Sequence, residues 1–469
     1  MTILYDEICF EPETRMSGRL IVHEDRIKVD LFSFERRGNA PFTQKRREII
    51  LSTGQIATLM NPIVKLSGTS STMTRSVGHV EIDANYIVLG TCSWTSDDRV
   101  ATIEFCLPDA KASLSYRDHV KFEHSNANGT EEDIRSFIFN KLEVARIKAD
   151  DFEVVLSKRP SIRVATKDKF DDPMWITTIF KNPVELESAL QIPLHIEVFF
   201  ELSEGRPLQQ KGLALRASNS SGLEEFSYLH DFEFYRNSSL GNYKHSAHRH
   251  TDAIFTIFSQ DMREKTIYAL TKWINRRREW EVTYWLISSF THGNAIYDRG
   301  NLLRAMAWFE SIPDYQMASL ITESKLKNFR KECRKLQSFV DLDISPARLK
   351  EVLNELTRSP LVDRIDSAIK NIRAAYGEGI LPRQFDDHCK LAKTIRNSAA
   401  HGGGDENEKD FRQIVAATSA IETLALLSTI MTLNIDLADV HGILNQYKPH
   451  PYASYCLWFL EGQRDDPVD

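Results

Sequence analysis

The sequence lacks the cysteine pattern of a stapled or metal-bound fold. Its six cysteines stand at positions 9, 92, 106, 333, 389 and 456, and no two form a C-x-x-C pair. Neither a zinc ribbon nor a disulfide framework is indicated, so reduced thiols are the expectation. Long hydrophobic runs are also missing. The most apolar stretch, Ile421 to Leu433, contains Glu422 and gives way to Asn434 and Asp436. That is too short and too interrupted for a bilayer span; a buried core helix is expected, and no membrane partner. The first ten residues include Asp6 and Glu7 and no basic n-region. This is not the pattern of a signal peptide, and a cytoplasmic location is the expectation. An excess of positive charge is absent too. The formal net charge of -7 argues against broad coating of nucleic acid, though it leaves room for a local basic cleft. No P-loop, no G-x-G-x-x-G after a strand and no G-x-S-x-G elbow is present, which removes the commonest phosphate-cradling and hydrolase signatures. Neither a repeat of 20–50 residues nor a low-complexity linker is visible.

What is present is a chain of 469 residues with 42% hydrophobic content, enough for two to three domains. Its halves differ in texture. In the first, apolar residues alternate: Ile27, Val29, Leu31; Ile103, Phe105, Leu107; Ile196, Val198, Phe200, Leu202. Period-two alternation marks strands. Ser67-Gly68, Asn128-Gly129, Glu204-Gly205 and Ser221-Gly222 serve as turn signals between them. Pro183 to Leu190 reads as a short helix with Pro183 in its first turn. Residues 1–240 are therefore expected to form a mostly antiparallel β domain with a few short helices. Residues 241–469 form a helical domain. From about residue 260 the helical period dominates, over Gln260 to Arg278, Glu279 to Ser289, Arg299 to Ser311, Glu323 to Ser338, Ser345 to Thr357, Val362 to Ala375, Pro382 to His401 and Asp405 to Leu433. Pro313, Pro346, Pro360, Gly377 and Gly379 punctuate them. The expected class is α+β multidomain, a β domain followed by an all-α bundle.

The residues that carry chemistry lie late in that bundle, at Arg396-Asn397-Ser398-Ala399-Ala400-His401, with Gly402, Gly403 and Gly404 directly after. Arginine holds phosphates, histidine moves protons near neutral pH, and asparagine can orient the histidine. Asn397 and His401 are four residues apart and share one helix face. Arg396 and His401 diverge by about 140° on a helix, so one helix cannot easily close both on one phosphate, whereas two facing helices can. The glycines stop the helix, and Asp405 with Glu408 forms a capping box for the next one. His401 thus stands at a helix C-terminus, where the macrodipole favours imidazolium. Ile395, Ala399 and Ala400 offer a small apolar stripe for close packing. The plainer reading of the same residues is a solvated helix end with a capping histidine.

Arg396-Asn397-x-x-x-His401 resembles the motif of HEPN ribonucleases. The wider arrangement is similar to the ApeA group of HEPN proteins, which act in bacterial anti-phage defence. The helix Asn301-Leu302-Leu303-Arg304-Ala305-Met306-Ala307-Trp308-Phe309-Glu310 precedes Thr394 to Gly402, and Gly54 to Leu66 and His79 to Gly90 look like the family's N-terminal domain. The resemblance implies a metal-independent endoribonuclease needing no cofactor. It also implies a homodimer or higher oligomer with a composite site, and growth arrest when a phage-derived trigger is sensed. A tRNA or another structured RNA is the implied substrate. Residues 1–240 are then a sensor or regulatory domain and 241–469 the HEPN domain. In the chemistry so implied, His401 is general base or acid, Arg396 stabilises phosphoryl charge, and Asn397 positions His401 or a phosphate.

Lys393, one turn before Asn397, is a candidate RNA contact or a solvated lysine. Glu310 is a distal polar partner of the site or a surface ion pair. His245, His248 and His250 form H-x-x-H-x-H, a possible zinc set without a clear fourth ligand, or a polar linker. Cys389 is a packed core cysteine or a neighbour of the site. Arg276-Arg277-Arg278 with Trp273, Trp280 and Trp285 could stack RNA bases, yet aromatics at helical spacing are more often core. The competing function is a non-catalytic module that binds nucleotides, RNA or protein.

Overall fold

A computed structural model describes residues 3–23, 26–33, 46–71, 76–95, 97–114, 142–158, 174–205, 207–208, 210–219, 229–236, 254–257, 260–292, 299–313, 327–329, 331–332, 360–381, 384–400 and 411–434. The chain divides into two compact units. The first comprises Met1–Glu197, Leu208–His248 and Ile257–Ser259; the second comprises Val198–Pro207, Arg249–Thr256 and Gln260–Asp469. Antiparallel β structure fills the N-terminal part and helices the C-terminal part, an α+β arrangement.

The first unit carries strands β1 (Ile3–Glu11), β2 (Met16–His23), β3 (Ile27–Ser33), β4 (Arg46–Leu51), β5 (Ile56–Met60), β6 (Ile63–Ser71), β7 (Ser76–Ala84), β8 (Tyr86–Gly90), β9 (Asp98–Cys106), β10 (Leu142–Lys148), β11 (Phe152–Lys158), β12 (Met174–Val184), β13 (Lys211–Asn219) and β14 (Leu229–Arg236), with a one-turn helix α1 (Lys111–Leu114). They form one sheet in the order β10-β11-β12-β9-β13-β14-β8-β5-β4-β1-β2-β3-β7-β6. Every described pairing is antiparallel. Alternation sets the faces. Leu20 and Val22 of β2, Ile27, Val29 and Leu31 of β3, Ile49 and Leu51 of β4, and Ile82 and Ala84 of β7 all point into one core. Each such Val, Leu or Ile contributes about 1.5–3 kcal/mol by leaving water. Gly18 is required where β2 meets β3. A Cβ there would lie 1.7 Å from the Asp30 carbonyl oxygen. The Ser67-Gly68 turn expected from sequence is instead strand: both residues lie within β6, opposite Val80 and His79.

One charged pair is buried in this core. Arg47, on β4, reaches Glu11 at 3.1 Å, and the two side chains are 2% and 1% exposed. Burial pushes the Glu11 carboxyl up, but hydrogen bonds from Thr14 and Arg47 outweigh it and hold the group below the ordinary glutamate value.

The alternation at Ile196, Val198, Phe200 and Leu202 is not a strand. These residues lie on helix α2 (Leu186–Glu204), whose first part belongs to the first unit and whose last part belongs to the second. The expected helix Pro183 to Leu190 was too short and began too early, since Pro183 falls within β12. The physical reason is burial on every side. His195, Glu197, Phe199 and Glu201 are as buried as the alternating set, so no face is left polar to reveal the helical period. Pro193, ordinarily a helix terminator, sits inside α2.

The second unit holds α3 (Gln260–Asn275), α4 (Glu281–His292), α5 (Arg299–Ser311), α6 (Leu361–Tyr376), a 3-10 turn (Glu378–Ile380), α7 (Phe385–Ala400) and α8 (Phe411–Thr432). Among the described residues it contains no strand. The helix expected over Glu323 to Ser338 is described only at 327–329 and 331–332, which are helical, and that over Ser345 to Thr357 lies outside the described residues. The central element is α8, which packs against α4, α5, α6 and α7. Ala417, Ala420, Ile421, Leu424, Ala425 and Leu426 on it are fully buried. Among the described residues one helical stretch, Gln413–Thr432, is long and apolar enough to cross a membrane, and it is 72% buried within the protein.

Of the three tryptophans expected as core, Trp273 and Trp280 are core, whereas Trp285 on α4 is 39% exposed. Trp273 and Trp280 are 0% and 1% exposed. Trp273 stacks on Tyr284 with centroids 3.6 Å apart. Over this cluster lies Arg276, its guanidinium 4.1 Å from the Trp280 ring. Its Nε donates to the Tyr284 hydroxyl at 2.9 Å and its Nη1 to Thr432 Oγ1 at 2.6 Å. This arginine joins the ends of α3 and α8, where carbonyls left over by both helices favour a cation.

Candidate functional site

The motif helix is α7. Asp386 and Asp387 occupy its first turn, where the helix dipole favours negative charge. Phe385, Cys389, Ala392 and Ile395 follow at helical spacing, and all four are buried. This stripe seats α7 against α8, α5 and α6. With that face committed, Arg396 and Asn397 fall on the outer side: Arg396 is half-buried and Asn397 exposed. His401 follows the last helical residue, Ala400, directly and lies outside the described residues, as do Gly402 to Glu408. His245, His248 and His250 are outside them as well.

Two carboxylates from neighbouring helices meet the basic residues of α7. Arg396 donates through Nη2 to Glu310 Oε1 at 2.8 Å. Glu310 belongs to the last turn of α5. One turn earlier, Lys393 Nζ donates to Asp366 Oδ1 of α6 at 2.7 Å. Lys393 is therefore not a freely solvated lysine; its side chain is 12% exposed. Of the two readings for Glu310, the ion pair is what forms, and its partner is the motif arginine itself. The base of α7 is fixed too. Arg373, on α6, grips Asp386 with both terminal nitrogens, at 2.7 and 3.0 Å.

Cys389 is 1% exposed, and burial pushes its thiol up to about 12. A thiol held so far above its ordinary value is inert as a nucleophile. Burial shifts His388 beside it the other way, lowering its pKa against the opposing charge of Asp387. On α8, burial pushes the Glu422 carboxyl up to about 7, with Arg304 of α5 opposing the shift.

The geometry brings Arg396 to Glu310 and Lys393 to Asp366, two ion pairs that tie α7 to α5 and to α6. Asp366 escaped the sequence reading. Its signal was present, an acid on the polar face of α6 between buried Ile365 and Ile369, but nothing local named its partner 27 residues away. Among the described residues, no group of three or more His, Cys, Asp and Glu side chains is arranged to hold a metal ion. Among the described residues, the Arg396 guanidinium has one nitrogen engaged and is presented on an outward helix face. Such a group can take an anionic oxygen on its remaining donors.

No family model matches the chain, and neither a curated protein nor a solved structure matches it.

Proposed function

We propose that this protein is a metal-independent endoribonuclease of the HEPN type, similar to the ApeA group, acting as a cytoplasmic effector of anti-phage defence. Residues 241–469 form its all-α HEPN domain, and residues 1–240 sense a phage-derived trigger. The observation that carries the reading is Arg396: α7 turns its apolar stripe to the bundle and leaves this motif arginine half-exposed. RNA supplies its own nucleophile. One His401 takes the proton of a 2′-hydroxyl; the oxygen attacks the adjacent phosphorus; the bond to the 5′-oxygen breaks, and the same imidazole, now protonated, returns that proton to it. Arg396 neutralises charge growing on the phosphoryl oxygens, and Asn397 holds the imidazole. The products are a 2′,3′-cyclic phosphate and a 5′-hydroxyl. The charge and proton demands are met by these groups, so excess EDTA leaves the rate unchanged. A tRNA or other structured RNA is the proposed substrate.

A non-catalytic binding module is the second reading. The ion pair with Glu310 favours it, because the pair gives Arg396 a purely structural use. Sequencing of 5′-hydroxyl RNA ends from cells expressing wild type beside His401→Ala decides between them. New ends confined to wild type support the enzyme; identical profiles, with both proteins folded, leave the binding module.

A further inference from the structure

Glu310 is set at the end of α5 by rigid neighbours. Trp308 and Phe309 before it are 1% and 0% exposed, and their rings meet edge to face at 4.8 Å. The Phe309 carbonyl accepts a hydrogen bond from Nη1 of the buried Arg364 at 3.0 Å. The carboxylate is therefore delivered to Arg396 from a backbone anchored by these contacts. Among the described residues Arg396 has no other hydrogen-bond partner, and the contact is a single bond, Nη2 to Oε1. Arginine has five N–H donors, so the pair orients the guanidinium without exhausting it. The Asp366–Lys393 pair holds the same helix one turn back, from the side of α6.

We propose that Glu310 is a positioning residue for Arg396, fixing the guanidinium in the orientation that meets the scissile phosphate. The inference rests on the ribonuclease reading above. A lock that withholds Arg396 from substrate is the other use such a pair could have. Exposure decides against it. The Arg396 and Glu310 side chains are 36% and 48% exposed, and ion pairs this open to water are weak. A phosphodiester, which can take two parallel N–H donors, displaces or joins a carboxylate held that loosely. Orientation, by contrast, needs little energy. It requires only that one side-chain arrangement of a long, flexible residue be favoured before substrate arrives.

The test is steady-state cleavage of a mixed-sequence RNA oligonucleotide carrying a fluorophore and a quencher, with the full chain. Glu310→Ala lowers kcat about tenfold while KM stays within about twofold, and the melting temperature does not move. Glu310→Gln, which keeps an acceptor at the same reach, recovers most of the rate. Asp387→Ala removes the exposed pair with Lys390 on the same helix, formed at 3.0 Å, and cleaves as wild type. Wild-type kcat in Glu310→Ala, with Arg396→Ala inactive, overturns the positioning role and leaves the ribonuclease reading in place. A faster Glu310→Ala overturns it in favour of the lock. A folded wild-type protein that cleaves no RNA takes down both.

Discussion

Arg364 and Phe309 are joined across two helices by a bond from a guanidinium that is only 4% exposed to a main-chain carbonyl 3.0 Å away. The C-terminal turn of a helix leaves carbonyls without partners, and here a buried arginine of α6 supplies one for α5. Arg364→Ala removes the donor and strands the carbonyl in an apolar setting. A loss of about 3 kcal/mol is expected, read as a lower transition in calorimetry of the full chain. Arg364→Lys recovers part of it, since one ammonium cannot match the planar fork.

Arg396→Ala behaves in the opposite way. Its ion pair is half-exposed, so its removal costs less than about 1 kcal/mol of stability, yet RNA cleavage is lost. His401→Ala abolishes cleavage as well. Asn397→Ala is milder, at roughly 1 kcal/mol of activation free energy for a lost orienting bond. Thermal melts and the oligonucleotide assay check these together; full activity in either purified Arg396→Ala or His401→Ala sinks the assignment.

The β core has its own acid sensitivity. The Glu11 carboxyl is held below its ordinary value in the folded state. Its contribution is therefore complete above the unfolded value, about 4.3, and disappears as pH falls through the lower folded value. Glu11→Gln forfeits that contribution at pH 7 and removes the nearest countercharge of the buried Arg47, leaving Glu13 at 3.8 Å, for a loss of about 3 kcal/mol. Calorimetry between pH 3 and 7 should show a flatter dependence in the variant than in wild type. Parallel curves would show that Glu11 is not the sensitive group.

Glu422 carries the reverse sign. Burial raises its carboxyl to about 7, so the folded state favours the protonated form. The stability it supports is complete below the unfolded value and lost as pH rises through the folded one. Glu422→Gln mimics the protonated acid. It should match wild type at pH 5 and exceed it in melting temperature at pH 8. Equal melting temperatures at both values would refute the buried-acid account.

How much of this was legible in the sequence depends on which signal each element used. Ile27, Val29 and Leu31 announced β3 because one face of that strand is buried and the other is not. The run through Val198, Phe199 and Phe200 misled because this later stretch of α2 has no exposed side to report a period. α7 was legible within a few residues, since Phe385, Cys389, Ala392 and Ile395 keep helical spacing over an exposed opposite face. Its partners were not. Arg396 meets an acid 86 positions earlier, and Lys393 one 27 positions earlier. Such pairings are decided by how α5, α6 and α7 cross, which no local pattern encodes. Glu310 could be named as a candidate, but not matched to Arg396.

The composite site gives the last prediction. Arg396 and His401 diverge by about 140° around one helix, and α7 turns its buried stripe inward, so Arg396 faces outward from the bundle. A phosphate gripped by an arginine from one copy and a histidine from another satisfies both constraints, and a two-fold axis relates the copies most simply. Arg396→Ala and His401→Ala, each inactive alone, should then complement when mixed under conditions that exchange subunits. A random mixture of equal amounts makes about half its dimers mixed. Each mixed dimer has one site with both wild-type groups, so activity should return to about a quarter of the wild-type value. Subunit exchange is verified first by energy transfer between differently labelled copies. No rescue after confirmed exchange, or full activity in a protein that sediments as a monomer at the assay concentration, would refute the composite site.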